Sequence, residues 1–220
     1  MTWNLTNAVA GWVQSAGYSG TVTVPVSETM LFKVNGDIVV EAGNLVFAGD
    51  TTAIGDGTVT KKFGRGYMIE AANVFVAAGS SINSDGMGFP KAAGPGAGAN
   101  GSANGNGDHR GAGYGGEGAY RVISTGRGMP YGTAIAPTAL GSGGGHSSSG
   151  SGGGALKLVV SGLITIDGRL SANGGNGTLG WACGGSGGSI WIVSGTLQGG
   201  GVIAANSGYS SISWRGSGGG

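Results

Sequence analysis

Few side chains in this 220-residue chain have the types and spacing for chemistry. Asp108, His109 and Arg110 are contiguous, with Glu117 close by. On an exposed loop such a run can move a proton or hold a sugar hydroxyl; the simpler reading is solvated charge. His109, His146 and Cys183 are the softer metal-ligand types, but none is spaced as a paired zinc ligand. Asp50, Asp56, Asp85 and Asp167 each stand beside a glycine. Calcium would need several of their oxygens to converge, and the simpler reading is an Asp bonding the backbone of its own turn. No G-x-x-x-x-G-K-[ST] phosphate loop occurs among the many glycines, and no helix pattern follows them. We therefore expect no catalytic residues, no metal and no cofactor.

Aromatic side chains are the better contacts. Tyr114, Tyr120, Tyr131 and Trp181 lie in glycine-rich stretches with almost no large aliphatics. A flat ring with a polar tip suits a carbohydrate or protein partner, so these four are the candidate ligand-binding residues. Tyr209 and Trp214 belong to the same class, whereas Trp191, inside SIWIV, reads as a covered flank residue.

These rings need a scaffold, and the composition describes one. Glycine supplies 54 of 220 residues, far above the usual share of about 7%. There is no three-residue period and there are only five prolines, which excludes collagen. Val and Ile gather in short runs, unlike a disordered chain. Charged residues are 10% of the chain and the net charge is +1, so there is no basic stripe for nucleic acid. No run of about 18 apolar residues marks a membrane span. The first residues lack the basic and apolar regions of a secretory signal peptide. One cysteine excludes an internal disulfide framework.

Repeats organise the rest. Residues 1–29 read as an N-terminal cap and an edge strand: a short helix over 4–13, then TVTVPV, whose Pro25 cannot donate to a ladder. From Met30 short strands alternate with Asn-Gly and Ala-Gly corners. Asn44-Leu-Val-Phe aligns with Asn73-Val-Phe-Val, 29 residues on; Ile82-Asn-Ser-Asp aligns with Leu170-Ser-Ala-Asn, 88 on; and the latter aligns with Ile203-Ala-Ala-Asn, 33 on. Repeats of this length, with strands and no room for helices, predict an all-β fold: a single-stranded parallel β-helix (β-solenoid) over 30–220. Its inward residues would be Val74, Val76, Ile82, Leu156, Leu158, Val160, Leu163 or Ile164, Ile166, Leu170, Ile190, Ile192, Leu197 and Ile203. A glycine-rich insertion over 88–154 and a shorter loop over 174–188 leave it on one side. The insertion is either a mobile loop or an ordered flank of close-packed, polyglycine-type extended segments, which Tyr114, Tyr120, Met129, Tyr131 and Leu140 would then pin to the β-helix.

The phrases APTALGSGGG, GGGALKLVVSGLITIDGRLSANGGNG and GGSGGSIWIVSGTLQGGGVIAANSG carry a resemblance. Over about residues 64–208 the chain resembles the glycine-rich β-helical repeat proteins of bacterial and phage surfaces. That resemblance implies a scaffold or adhesin at an extracellular, cell-surface or virion location, and implies no catalytic residues.

Three functions follow as expectations. The first is a non-enzymatic structural protein whose partner is itself, stacking head-to-tail into a fibre or forming part of a longer one. Trp3, Trp12 and Trp214, with Gly218, Gly219 and Gly220, would mark its assembly ends, because the closing Ser-Gly-Gly-Gly repeats the run before Ala155 and begins like the Ser-Gly-Gly before Ser189. The second is an adhesin that binds a cell-surface glycan or protein. The third is a polysaccharide lyase or hydrolase, which lacks the clustered carboxylates that chemistry needs.

Overall fold

The computed structural model describes residues 9–99, 110–120, 126–178 and 182–210. Twelve strands lie among them: β1 (Trp12–Gln14), β2 (Thr21–Val24), β3 (Leu31–Lys33), β4 (Ile38–Val40), β5 (Asn44–Phe47), β6 (Tyr67–Ala71), β7 (Val74–Val76), β8 (Ser81–Asn83), β9 (Ala155–Ile166), β10 (Arg169–Ser171), β11 (Ser189–Gln198) and β12 (Val202–Ala204). The helix expected over 4–13 is overturned in its described part, since β1 runs parallel to β4 with Trp12 opposite Ile38. The strand competes successfully because β1 buries Gln14 and half-buries Trp12 on an existing sheet, whereas an isolated short helix has a costly nucleus.

The single-stranded parallel β-helix is also overturned. The strands sort into two parallel sheets, one of seven in the order β1-β4-β7-β9-β6-β3 with β11 on β9, and one of five in the order β12-β10-β8-β5-β2. The larger sheet is branched. β9 is one strand of 12 residues; β6 and β7 lie end to end along one of its edges, and β11 along the other. One repeat therefore does not make one uniform coil. The repeat offset of 29 is corrected with it: Ile38 pairs with Val74 and Leu45 with Ile82, offsets of 36 and 37. Asn44 and Asn73 head strands in different sheets. Asn73 stands instead over Asp37, donating from Nδ2 to Oδ1 at 2.8 Å.

The offsets of 88 and 33 agree with the pairing. Ile82, Leu170 and Ile203 are opposite one another. Two columns cross the molecule from strand to strand. Trp12, Ile38, Val74, Ile164 and Leu197 form one; Val22, Leu45, Ile82, Leu170 and Ile203 form the other. With the aromatic run Trp12–Phe32–Phe47–Tyr67, whose centroids are 5.2–5.4 Å apart, they build the core between the sheets.

Glycine-rich segments form a third layer. They leave the ends of β8, β10 and β12 and lead into the starts of β9 and β11. They are extended but pair with no single neighbour. Gly150, Gly152, Gly153 and Gly154 donate to Cys183, Phe89, Ser186 and Ser84 respectively, so one segment bonds in several directions. Across its described residues the 88–154 stretch is thus ordered by close-packed backbone, and residues 182–188 are buried in the same layer. The glycines are needed for contact. A Cβ on Gly150 would lie 1.7 Å from the Gly175 carbonyl oxygen, and one on Gly188 would lie 1.8 Å from that of Gly154. Phe89, Leu140 and Ala155 make a small second core inside the layer.

Candidate functional site

The predicted contact residues do not form one surface. Tyr114 is buried and Tyr131 partly so, with centroids 4.9 Å apart; Tyr131 also packs on Phe63 at 5.2 Å. The Tyr131 hydroxyl donates to the Leu140 carbonyl and accepts from Ser142 Oγ at 2.9 Å. The Tyr114 hydroxyl meets Ser189 Oγ at 3.0 Å, and Ser189 donates to the Ala139 carbonyl. Burial raises the pKa of both phenols above the ordinary tyrosine value, against the smaller opposing effect of their serine partners. Tyr114 fastens the glycine layer to the start of β11, and Tyr131 ties the 131 and 140–142 stretches of that layer together. Beside them a depression of about 350 Å³ is lined by Gly115, Pro130, Gly132 and Thr133. Tyr120 is exposed, with the Arg127 guanidinium 5.6 Å from its ring centroid. Arg127 also pairs with Glu117 at 2.8 Å.

Trp181, Trp3, Trp214, Gly218, Gly219 and Gly220, together with Asp108 and His109, lie outside the described residues. Arg110 is buried in the glycine layer, while Glu117 is engaged with Arg127, so these two do not meet as a reacting pair. His146 closes its own turn, its Nδ1 accepting from the Ser148 N–H at 3.1 Å, and Cys183 is buried. Among the described residues no three His, Cys, Asp or Glu side chains converge to hold a metal ion. Trp191 stands on the outer face of the larger sheet, where Lys157 Nζ lies 3.9 Å from its ring centroid.

The turn aspartates behave differently from one another. Asp50 bonds its own turn, accepting from the Thr52 N–H and hydroxyl at 2.9 and 2.6 Å. Burial opposes its charge, but the Thr52 and Ala53 contacts and Arg65 outweigh it and lower its pKa. Asp85 reaches across repeats, taking the Asn173 N–H at 2.6 Å and the Ser171 hydroxyl at 2.9 Å. Asn173 Oδ1 in turn takes the Asn206 N–H at 2.8 Å, and Asp167 takes the Gly200 N–H at 3.1 Å. These side chains tie one repeat to the next.

What the sequence reading did not single out is the edge formed by β11 and β12. Among the described residues each pairs on one side only. The interior members of the two core columns are at most 1% exposed, yet Leu197 is 47% and Ile203 44% exposed. Both were predicted inward from the repeat. They do point along the core columns, but nothing among the described residues covers them. Trp12 sits at the opposite edge, half-buried against Phe32. The signal for this edge was present in the sequence: residues 189–210 carry no charge, and neither do residues 9–26 at the other edge. Unpaired edges are usually blunted by charge.

Compared with known proteins, the chain matches no protein-family model, no curated protein and no solved structure.

Proposed function

We propose that the protein is a non-enzymatic structural protein that works by assembly, a parallel-sheet subunit of an extracellular fibre or surface layer. One observation carries this reading: the uncharged β11–β12 edge, where, among the described residues, two core columns stay open at Leu197 and Ile203. Exposed edges with apolar, uncharged strands template further strands, and a contact that does not close on itself produces a filament. The resemblance to glycine-rich surface proteins supports the location. No helix among the described residues is long and apolar enough to cross a membrane. Negative-stain microscopy and sedimentation over a concentration series test the proposal. Concentration-dependent oligomers or filaments are expected; a compact monomer at every concentration removes it.

An adhesin is the second reading, favoured by the exposure of Tyr120 at 45%, Met129 at 52% and Ile135 at 92% within the glycine-rich stretch. Its partner would be a cell-surface glycan or protein. Tyr120→Ala should abolish cell or glycan-array binding if it holds, while equal binding by the variant would remove Tyr120 from the case.

A further inference from the structure

We infer that the β11–β12 edge is completed by the β1–β2 edge of a second copy of this chain, with Trp12 of one copy seated on Leu197 of the next and Val22 on Ile203. The inference rests on the assembly reading above and adds the seam and its register.

The partner is specified by the columns. Among the described residues each core column runs from one edge to the other: Trp12 to Leu197 in the larger sheet, Val22 to Ile203 in the smaller. All pairings along both columns are parallel. A second copy placed one strand spacing beyond β11 and β12, about 4.8 Å away, therefore presents strands of the right direction, at the same two places. Lengths agree as well. β1 is three residues, matching the Thr196–Gln198 portion of β11 that pairs with β9 beyond its irregularity. β2 has four residues for the three of β12. Laying a short strand along part of a long one is already done inside the molecule, where β7 covers only Ile164–Ile166 of β9.

The chemistry favours the same occupant. The segments 9–26 and 189–210 are both free of charge, so neither edge repels the other or strands an unpaired ion. Leu197 and Ile203 offer branched apolar side chains to the indole of Trp12 and to Val22. Both receiving residues are half-exposed, and Val202 beside them is 54% exposed. Interior members of these columns are sealed by like neighbours above and below; the seam extends that arrangement by one interval.

The outer-face column gives the test. Val13, Val39, Phe75, Thr165 and Gln198 lie opposite one another in sequence. In the proposed register Val13 of one copy stands beside Gln198 of its neighbour, within the Cα separation of about 4.4–6.8 Å that a disulfide spans. Val13→Cys and Gln198→Cys chains would be mixed, oxidised mildly and run on a non-reducing gel. The wild-type chain, whose lone Cys183 is buried, is the blank, and Val13→Cys mixed with Thr165→Cys is the interior control. The seam predicts a mixed dimer at least tenfold above that control, lost when Leu197→Lys is added to the Gln198→Cys chain. A band no stronger than the control overturns the seam, and so does a dominant Val13→Cys homodimer, which would mean that like edges meet. Sedimentation of the same samples separates the two claims. Oligomers without the mixed dimer leave the assembly reading standing and discard this register; monomers without the mixed dimer discard both.

Discussion

At the scale of the residue, the tyrosines had two roles open to them. Type and neighbourhood suited Tyr114 and Tyr131 either to surface contact or to pinning an ordered glycine-rich flank; in the fold they are the large side chains that a layer of glycines lacks. Their hydroxyls are committed to Ser189, Leu140 and Ser142. Tyr131→Phe leaves the buried Ser142 hydroxyl without its acceptor and should cost about 1–3 kcal/mol, visible as a lowered midpoint in urea. Ionisation tests the same contacts. Burial raises the folded-state pKa of Tyr67, Tyr114 and Tyr131 above 10.0. A raised pKa contributes stability that is complete below the unfolded value and fades as pH climbs past it. Thermal midpoints should hold up to about pH 10 and fall beyond it, with tyrosinate absorbance rising together with unfolding. Asp50 has the opposite sign. Its lowered pKa contributes stability above the unfolded value of 3.8 that is lost as pH falls below it.

At the scale of the element, glycine is a packing residue here more than a flexible one. A side chain at Gly188 would collide with a carbonyl at 1.8 Å, whereas one at Gly17 meets nothing within 4 Å. Gly188→Ala must push two buried backbones apart and break bonds such as Ser189 N–H to the Gly154 carbonyl, at 3.0 Å. It should cost about 3 kcal/mol or more by overpacking and lost hydrogen bonds. Gly17→Ala should stay within about 0.5 kcal/mol of wild type. Paired denaturant melts decide between this account and a layer of loose loops, which would accept both changes equally. The glycine count was plain in the sequence. The direction of each bond was not, because a residue without a side chain carries no inside-outside pattern.

At the scale of the whole molecule, the proposed seam is apolar and uncharged, and association should follow the rules of hydrophobic contact. Raising salt from about 0.05 to 0.5 M should change the association constant by less than about threefold, since there are few charges at the edges for salt to screen. Cooling should weaken association and sulfate should strengthen it. Light scattering or sedimentation reads each effect. A steep loss of assembly with sodium chloride would point to charged surfaces elsewhere, such as the Lys33–Glu70 pair at 3.0 Å on the larger sheet.

The sequence by itself determined which side chains stack wherever like apolar residues recur in like company. Ile82, Leu170 and Ile203 were aligned by their shared Asp or Asn three positions on, and that same residue joins the repeats in space through Asp85, Asn173 and Asn206. It also left residues 9–26 and 189–210 without charge, while the pairing made them edges. Where two phrases merely sounded alike, as at Asn44 and Asn73, the alignment failed, because a strand's place depends on the corner before it and on a partner dozens of residues away. Only the tertiary structure divided the strands between two sheets, laid β6 and β7 along one long β9, and packed glycine segments against one another. Parallel pairing joins residues far apart in sequence, and backbone contact without side chains leaves no local mark on the amino acids that make it.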